Sequence, residues 1–241
     1  FDLAAAPPLR WVLFRLAERR FALLRVWHHI VGDALSARIL QREVADAYAA
    51  AKDGRDPGFR PLDVEFADYA VWQSQGDARE AIARALPACK ARLADLPTLA
   101  LPTDFARPAT TSSNGDVVTS TLSREATAAL KQVGRQHGAT PFVTFLALFQ
   151  VLLSRLSGDT DFAIGTPVAG RTAPELHPII GFFANTVVVR ADLSGSPDAH
   201  EVVQRTRDRV REALEHQHVP FEKVVEALAL PRDPSRNPLF Q

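Results

Sequence analysis

The stretch WHHIVGDALSARIL, residues 27–40, joins two different sequence patterns. Two adjacent histidines close an apolar run of strand length, and Asp33 follows four residues after the second histidine. Apolar residues then recur at helical spacing, so the pattern changes from strand to helix inside the stretch. Ser36 is the predicted N-cap, because its hydroxyl can accept a hydrogen bond from an early backbone N–H of the helix. The sequence therefore predicts the histidines at the point where a strand becomes a helix.

The adjacent histidines, His28 and His29, allow several interpretations. Successive side chains of a strand point to opposite faces, so the two rings cannot both enter one cavity if both lie on the strand. The chain has no HExxH spacing and no cysteine cluster, and no metal site is predicted. One ring could act as an acid, a base or a hydrogen-bond partner, and Asp33 could orient the loop, cap the helix or pair with an arginine. Both rings could equally be ordinary core or capping groups.

The composition excludes several classes of protein. The 241 residues are 46% apolar, which is enough for one large or two modest domains. The formal net charge is zero, whereas nucleic-acid-binding domains normally carry a basic excess. No apolar run approaches the roughly 20 residues that span a bilayer, so no membrane segment is predicted. The only cysteine, Cys89, fits a reducing compartment and an expected cytoplasmic location. The lack of methionine and the start at Phe1 indicate a fragment of a longer polypeptide.

The first half of the chain predicts a hairpin and then helices. Strand-length runs within residues 9–27 flank a charged tetrad. FADYAVWQ, residues 66–73, predicts a short helix with Phe66, Tyr69, Ala70 and Trp72 directed inward. A further helix begins near residue 77, and Pro87 should bend or break it. Residues 96–116 are rich in proline, threonine and serine and predict a linker.

The second half predicts strands and helices in alternation. A strand is expected at 117–122, then a helix with Ser123 as N-cap and Gly138 past its end. Thr140 and Pro141 begin a helix that is apolar almost all round and is therefore predicted to be buried. Its predicted inner face comprises Phe142, Phe145, Leu146, Phe149, Leu152, Leu153 and Leu156. Strands at 161–168 and 185–193 and a helix at 198–217 complete the pattern, which is typical of an α/β or α+β class.

Several segments together resemble the condensation domain of nonribosomal peptide synthetases. HHIVGDA (28–34) is similar to that family's HHxxxDG, ADYAVWQ (67–73) to (Y)xDYAVWQ, IGFFANTVVVR (180–190) to IGxFVNTxxxR, HQHVPFEKVV (216–225) to HQDxPFExVV and RDPSRNPLFQ (232–241) to RDxSRxPLFQ. LPTD (101–104), GTPVAGR (165–171) and the opening FDL also fall in the family's order. The first motif alone is weak, because related acyltransferases share it. Five ordered motifs make the resemblance strong, and it covers essentially the whole chain.

The resemblance implies a chloramphenicol-acetyltransferase-like fold with two lobes and a tunnel between them. Residues 1–100 would be the later part of the N-terminal lobe, with the HHxxxD motif. Residues 101–115 would be a linker, and 116–241 the first part of the C-terminal lobe. The family's opening motifs and its closing region are missing, so the fold would be truncated at both ends.

The resemblance also implies a reaction. Two carrier domains, one upstream and one downstream, would present a donor acyl or peptidyl thioester and an acceptor aminoacyl thioester on phosphopantetheine arms. The acceptor amine would attack the donor carbonyl and form an amide bond during secondary-metabolite or antibiotic biosynthesis. The domain itself would bind no cofactor, because the arms belong to the carrier domains, and an adenylation domain would lie adjacent.

By resemblance, His29 matches the family's histidine at the middle of the tunnel, and His28 matches the structural one. Asp33 matches the aspartate that holds the loop through a salt bridge, for which Arg171 is the expected partner. Asn185 is expected to line the tunnel, as is Ala34. A free α-amine has a pKa of about 7.7–8.0, so a strong base is hardly needed. We therefore favour positioning and transition-state hydrogen bonding by His29 over proton removal.

Departures from the family pattern bear on activity. Ala34 stands where the family has glycine, and an alanine there is strained if the position needs a positive φ. His218 replaces the usual aspartate of HQD, Leu35 replaces tryptophan or valine, and Cys89 stands where an aromatic residue is common.

Alternatives stay open at this point. A stand-alone acyltransferase of the same fold is the main enzymatic one, and a non-catalytic carrier-binding scaffold is the other, motivated by Ala34. An epimerization domain is disfavoured, because IGFFANT and HQHVPFE are condensation-type, although SARIL (36–40) resembles the corresponding helix of that sister family. A heterocyclization domain would replace both histidines by aspartates.

Overall fold

A computed structural model describes residues 1–5, 8–112, 114–231 and 233–241. These residues form two compact units: Phe1–Glu80 with Ala169–Ala184, and Ala81–Val168 with Asn185–Gln241. This division differs from the expected lobes, because residues 81–100 lie in the second unit and 169–184 in the first. The assignment of lobes within a complete domain stays a prediction. Ser113 of the predicted linker and Arg232 of the last motif lie outside the described residues.

The first unit opens with the predicted hairpin. Strands β1 (Leu9–Ala17) and β2 (Arg20–Trp27) pair antiparallel, with Leu9 opposite Trp27. A 3₁₀ helix, His29–Val31, follows β2 and leads into α1 (Ala34–Lys52). Helix α2 (Phe66–Ser74) is the predicted short helix. The remaining piece, Ala169–Ala184, contains a 3₁₀ helix, Pro174–Leu176.

A small aromatic cluster forms the core of the first unit. Leu176, Ile179 and Phe183 are buried and pack against Phe66 and Tyr69 of α2. The prediction for the other two inward residues of α2 is wrong: Ala70 and Trp72 are exposed, Trp72 to 57%. Trp72 lies one turn beyond Tyr69 and touches its ring, with centroids 5.8 Å apart, but the cluster of Leu176, Ile179 and Phe183 does not extend far enough to cover it.

The second unit combines one two-stranded sheet with helices. The α3 helix, Gly76–Arg92, includes residues of both units and contains Pro87, so Pro87 does not break the helix, and whether it bends it stays a prediction. Strands β3 (Asp161–Val168) and β4 (Asn185–Asp192) pair antiparallel. The helices are α4 (Arg124–Gln136), α5 (Pro141–Ser157), α6 (Ala199–Glu215) and α7 (Phe221–Leu228), the last of which was not predicted.

Local signals in this unit are confirmed. The hydroxyl of Ser123 accepts from the Ala126 N–H at 3.1 Å and begins α4. The hydroxyl of Thr140 accepts from the Val143 N–H at 3.3 Å, and Pro141 is the first residue of α5. The predicted strand at 117–122 is not formed, because no strand of the described chain pairs with it, and Val118 is 97% exposed.

The buried face of α5 is not the predicted one. Its buried residues are Val143, Thr144, Leu146, Ala147, Gln150 and Leu153. Of the predicted inner face only Leu146 and Leu153 are buried, whereas Phe142, Phe145, Phe149, Leu152 and Leu156 are 36–55% exposed. A helix that is apolar all round carries no amphipathic signal to say which face a neighbour covers.

Within the described residues, no helix on its own has the length and apolar character to cross a membrane, whereas the bent pair α4 and α5, at 104°, meets these criteria together.

Candidate active site

Both histidines lie beyond the end of β2. His28 is the N-cap of the 3₁₀ helix, and its Nδ1 accepts from the Ile30 N–H at 3.1 Å. Its backbone N–H donates to the Pro8 carbonyl at 2.8 Å. The premise that the two rings alternate along a strand is therefore wrong, although the rings do have different surroundings. A neutral His28 that accepts at Nδ1 carries its proton on Nε2, so its role is to cap the turn.

The ring of His29 is exposed and meets one aromatic neighbour. The Phe182 ring is nearly perpendicular to it, with centroids 5.2 Å apart and an interplanar angle of 88°. None of the described side chains or backbone groups hydrogen-bonds to the His29 imidazole. Its nitrogens are therefore free to exchange a proton or a hydrogen bond with a bound molecule.

The N-terminus of α1 is capped by Asp33, not by Ser36 as predicted. Asp33 Oδ1 accepts from the Ser36 N–H at 2.8 Å and from its hydroxyl at 2.9 Å. Asp33 Oδ2 accepts from the Phe183 N–H at 3.1 Å. The cap lies three residues earlier than expected because a carboxylate can serve the first turn and a second chain segment together.

Burial and hydrogen bonding have opposite effects on this carboxylate. Burial alone would raise the pKa of Asp33, which is only 5% exposed. Hydrogen bonds from Ser36 and Phe183, together with the charge of Arg171, outweigh burial, so the pKa of Asp33 lies below its ordinary value of 3.8. The side chain is therefore ionised at neutral pH and unsuited to be a general acid.

The expected salt bridge between Asp33 and Arg171 is confirmed. Arg171 Nη2 lies 3.3 Å from Asp33 Oδ1, and the two side chains are 2% and 5% exposed. Arg171 Nη1 donates to the carbonyls of Leu176 and Ile179 at 2.6 and 2.7 Å. The guanidinium also lies 4.1 Å above the Phe183 ring centroid. Asp33 thus neutralises the charge of Arg171, and the carbonyls of Leu176 and Ile179 hold the guanidinium in place.

Ser36 connects these groups and was not predicted as a site residue. It is fully buried, and its Oγ accepts from Arg171 Nη2 at 3.0 Å and from the Gly181 N–H at 3.1 Å. Its hydroxyl has two acceptors in reach, Asp33 Oδ1 at 2.9 Å and the Gly181 carbonyl at 2.8 Å. The only signal in the sequence was its position three residues after Asp33, which is that of a capped amide.

Two glycines permit the close approach of the 169–184 segment. Gly170 has φ +65°, and a Cβ there would overlap the Phe183 carbonyl oxygen. Gly181 lies against the Phe66 ring, which a Cβ would also overlap. Both positions therefore need glycine for lack of space, and Gly170 also for its conformation.

Ala34 is the first residue of α1, and its φ is not positive. Alanine is unstrained there and is a good helix former, so the substitution of the family's glycine introduces no backbone strain. Ala34 is exposed. Backbone strain at Ala34 is therefore no reason to expect an inactive loop.

Asn185 belongs to the second unit and uses its whole amide internally. Its Nδ2 donates to the carbonyls of Gln217 and Val219 at 2.9 and 2.7 Å. Its Oδ1 accepts from the N–H groups of Phe221 and Thr186 at 3.0 and 2.8 Å. The side chain thus fixes the loop before α7, and its expected place in a tunnel stays a prediction.

An open groove of about 490 Å³ lies beside the buried ion pair within the first unit. It is lined by Leu35, Arg38, Ile39, Arg42, Ala169, Arg171 and His177. Among the described residues, no cluster of three or more histidine, cysteine or carboxylate side chains could hold a metal ion.

Comparisons with known proteins identify the family of the chain. The profile of the family described as "Condensation domain" matches residues 1–241. A linear gramicidin synthase polypeptide of Brevibacillus parabrevis is 45% identical over 242 residues, which are 100% of this chain and 5% of that protein. The chain therefore spans only a small part of such relatives.

Solved structures show the same fold. The X-domain from teicoplanin biosynthesis has a TM-score of 0.91 at 37% identity, over 100% of this chain and 55% of that one, and it is also solved in a complex with OxyB. Holo-AB3403, a four-domain nonribosomal peptide synthetase bound to AMP and glycine, has a TM-score of 0.89 at 29% identity, over 100% of this chain and 18% of that one.

Proposed function

The chain belongs to the condensation-domain family of nonribosomal peptide synthetases, and from that premise we propose that it catalyses amide bond formation between two carrier-bound substrates. The acceptor amine nitrogen attacks the carbonyl carbon of a donor thioester. The new C–N bond replaces the C–S bond, the donor arm leaves as a thiol, and the proton lost by the amine balances that thiol.

The observation that carries this proposal is the state of His29. Its ring is exposed and without a hydrogen bond among the described residues, whereas both carboxylate oxygens of Asp33 accept hydrogen bonds and its charge is paired with Arg171. A site that reacts with bound substrates needs one free polar group on a rigid support. The buried network of Asp33, Ser36 and Arg171 provides that support, and His29 provides the free group.

We favour hydrogen bonding over proton abstraction as the main role of His29. The attacking amine is partly neutral at physiological pH, so little is gained from a base. The tetrahedral intermediate, in contrast, develops charge that a positioned donor can stabilise. Loss of one such donor costs about 10²–10³ in rate in other acyl-transfer sites.

The partners follow from the same proposal. Carrier domains upstream and downstream present the two thioesters, and an adenylation domain lies in the same polypeptide. The phosphopantetheine arms come with the carrier domains, and the domain binds no cofactor of its own. A location in the cytoplasm and a role in antibiotic or other secondary-metabolite assembly are part of this proposal.

The test is the rate of condensation by the complete synthetase as a function of pH, for wild type and His29→Ala. A hydrogen-bonding role predicts a loss of about 10²-fold or more that is constant with pH. A base role predicts a loss that shrinks as the pH rises. His28→Asn is the control, because an amide oxygen can still accept from Ile30, and it should stay close to wild type. A wild-type rate in His29→Ala would contradict the proposal.

A second candidate is a non-catalytic scaffold that binds other proteins. One observation favours it: the X-domain to which this chain is similar is solved in a complex with OxyB. Carrier domains that bind the synthetase normally, with no amide product from any matched pair of thioesters, would support the scaffold and contradict catalysis. A stand-alone acyltransferase would instead accept a soluble amine without any carrier domain.

A further inference from the structure

The His29 ring has one described aromatic contact and no described hydrogen bond. No described group hydrogen-bonds to the imidazole, so nothing polar fixes its rotation. Its aromatic neighbour is Phe182, whose ring is nearly perpendicular to it at 5.2 Å. Edge-to-face pairs at this distance are favourable, because the positive edge of one ring meets the negative face of the other.

Phe182 is itself held on both sides. The peptide groups of Gly181 bond to the Ser36 hydroxyl, with the N–H donating at 3.1 Å and the carbonyl 2.8 Å away. The N–H of Phe183 donates to Asp33 Oδ2 at 3.1 Å. Both neighbours of Phe182 are therefore hydrogen-bonded to buried side chains at the start of α1, the N-cap Asp33 and Ser36, and its backbone has little freedom.

The Phe182 side chain differs from that of its neighbour. Phe183 is 3% exposed and packs below Arg171, whereas Phe182 is 44% exposed. Phe182 does not belong to the buried cluster of Leu176, Ile179 and Phe183. It contributes to the surface around His29.

We propose that Phe182 is a positioning residue, which holds the His29 imidazole in its reactive orientation and connects it to the network of Asp33, Ser36 and Arg171. This inference deepens the proposed function and rests on it for its catalytic consequence. The contact itself is a separate claim, which can be tested without any turnover.

The first experiment measures the reactivity of both histidines in the complete synthetase. Diethylpyrocarbonate acylates imidazole nitrogens, and the tryptic peptide of residues 26–38 carries His28 and His29 together. Tandem mass spectrometry gives the rate at each ring, so His28 is an internal reference. Phe182→Ala should change the His29 rate relative to His28 by about two- to tenfold, which is the strength of an aromatic pair. Phe182→Trp should keep the wild-type ratio.

The matched control is Phe59→Ala. Phe59 lies in the same unit and is 50% exposed, but no described histidine contacts its ring. It should leave the His29 to His28 ratio unchanged. An unchanged ratio in Phe182→Ala would overturn the proposal, whether or not the synthetase forms amide bonds.

The second experiment measures condensation kinetics. Phe182→Ala should lower kcat by about two- to tenfold with the KM for the carrier substrates unchanged, and Phe182→Trp should restore the rate. In a His29→Ala background, Phe182→Ala should cause no further loss, because the residue acts through that imidazole. Additive losses would overturn the positioning role. A wild-type synthetase that forms no amide product would contradict the proposed function alone. The ratio of His29 to His28 acylation would still test the contact between Phe182 and His29.

Discussion

At the scale of single residues, Asp33 joins two distant parts of the chain. Its two oxygens receive hydrogen bonds from Ser36 and Phe183, and Arg171 lies 3.3 Å away. A buried ion pair gains little over an apolar pair of the same shape, but the loss of one partner is costly, because a charge is left uncompensated. The ion pair therefore holds the start of α1 against the segment 169–184 within the first unit.

Asp33→Asn tests the contribution of this ion pair to stability, because the amide can still cap α1 while the charge is lost. The variant should lower the free energy of unfolding by about 3–5 kcal/mol in urea titrations of the complete protein. Asp33→Asn combined with Arg171→Met should cost less than the sum of the single changes. Asp208→Asn is the control, since its ion pairs with Arg207 and Arg211 are both exposed to solvent and should contribute little. A change below about 1 kcal/mol in Asp33→Asn would contradict the inference.

The lowered pKa of Asp33 predicts acid sensitivity. A carboxyl whose pKa is lower in the folded state binds fewer protons there than in the unfolded state, so stability rises with pH across this window. Its contribution is complete above the ordinary value of 3.8 and is lost as the pH falls through the folded value. Urea titrations between pH 6 and about pH 2 should show this decline. Asp33→Asn should flatten it, and an equal slope in that variant would assign the acid sensitivity to other carboxyls.

At the scale of elements, the segment 169–184 packs closely against the start of α1. Asp33 and Ser36 bond to the backbone at Gly181 and Phe183, and Gly170 lets the segment turn beside the Phe183 carbonyl. A short irregular segment is thus held by hydrogen bonds and by lack of space, with a small aromatic cluster below it.

Gly170→Ala compared with Gly158→Ala isolates the lack of space. Both glycines have positive φ, at +65° and +83°, but a Cβ at Gly158 meets open space. Gly158→Ala should cost about 1–2 kcal/mol, which is the strain of the left-handed conformation. Gly170→Ala should cost clearly more, because the Phe183 carbonyl must also move. Urea midpoints of the two variants give the comparison, and equal losses would show that the segment yields without strain.

At the scale of the whole molecule, the β1–β2 hairpin exposes an unusual amount of apolar surface. Leu13 is 65% exposed and Leu16 is 55% exposed, and residues on both faces are affected. A two-stranded sheet with apolar faces is marginal in water without a covering layer. The X-domain structure extends well beyond the part that this chain matches.

Expression of these 241 residues alone should therefore give a protein of low stability that associates or binds a hydrophobic dye. Size-exclusion chromatography and thermal unfolding measure this. Substitution of Leu13 and Leu16 by threonine should reduce the association, because strand propensity is kept while apolar surface is lost. Cooperative unfolding of a soluble monomer of the unchanged sequence would contradict the expectation.

The sequence by itself determined the features that depend on near neighbours in the chain. The caps at Ser123 and Thr140 follow from hydrogen bonds within a few residues, and the strands of the hairpin, β3 and β4 follow from strand-length runs between turn signals. The motif order was also sufficient for the family, and the aspartate–arginine pair followed from that resemblance.

The tertiary structure alone decided which surfaces meet. Ser36 bonds to Gly181, 145 residues away, and is therefore part of the site. Asp33, and not Ser36 as predicted, is the N-cap of α1. The buried face of α5 and the exposure of Trp72 depended in the same way on what lies opposite. Burial is a property of two surfaces in contact, and a pattern along one segment describes only one of them.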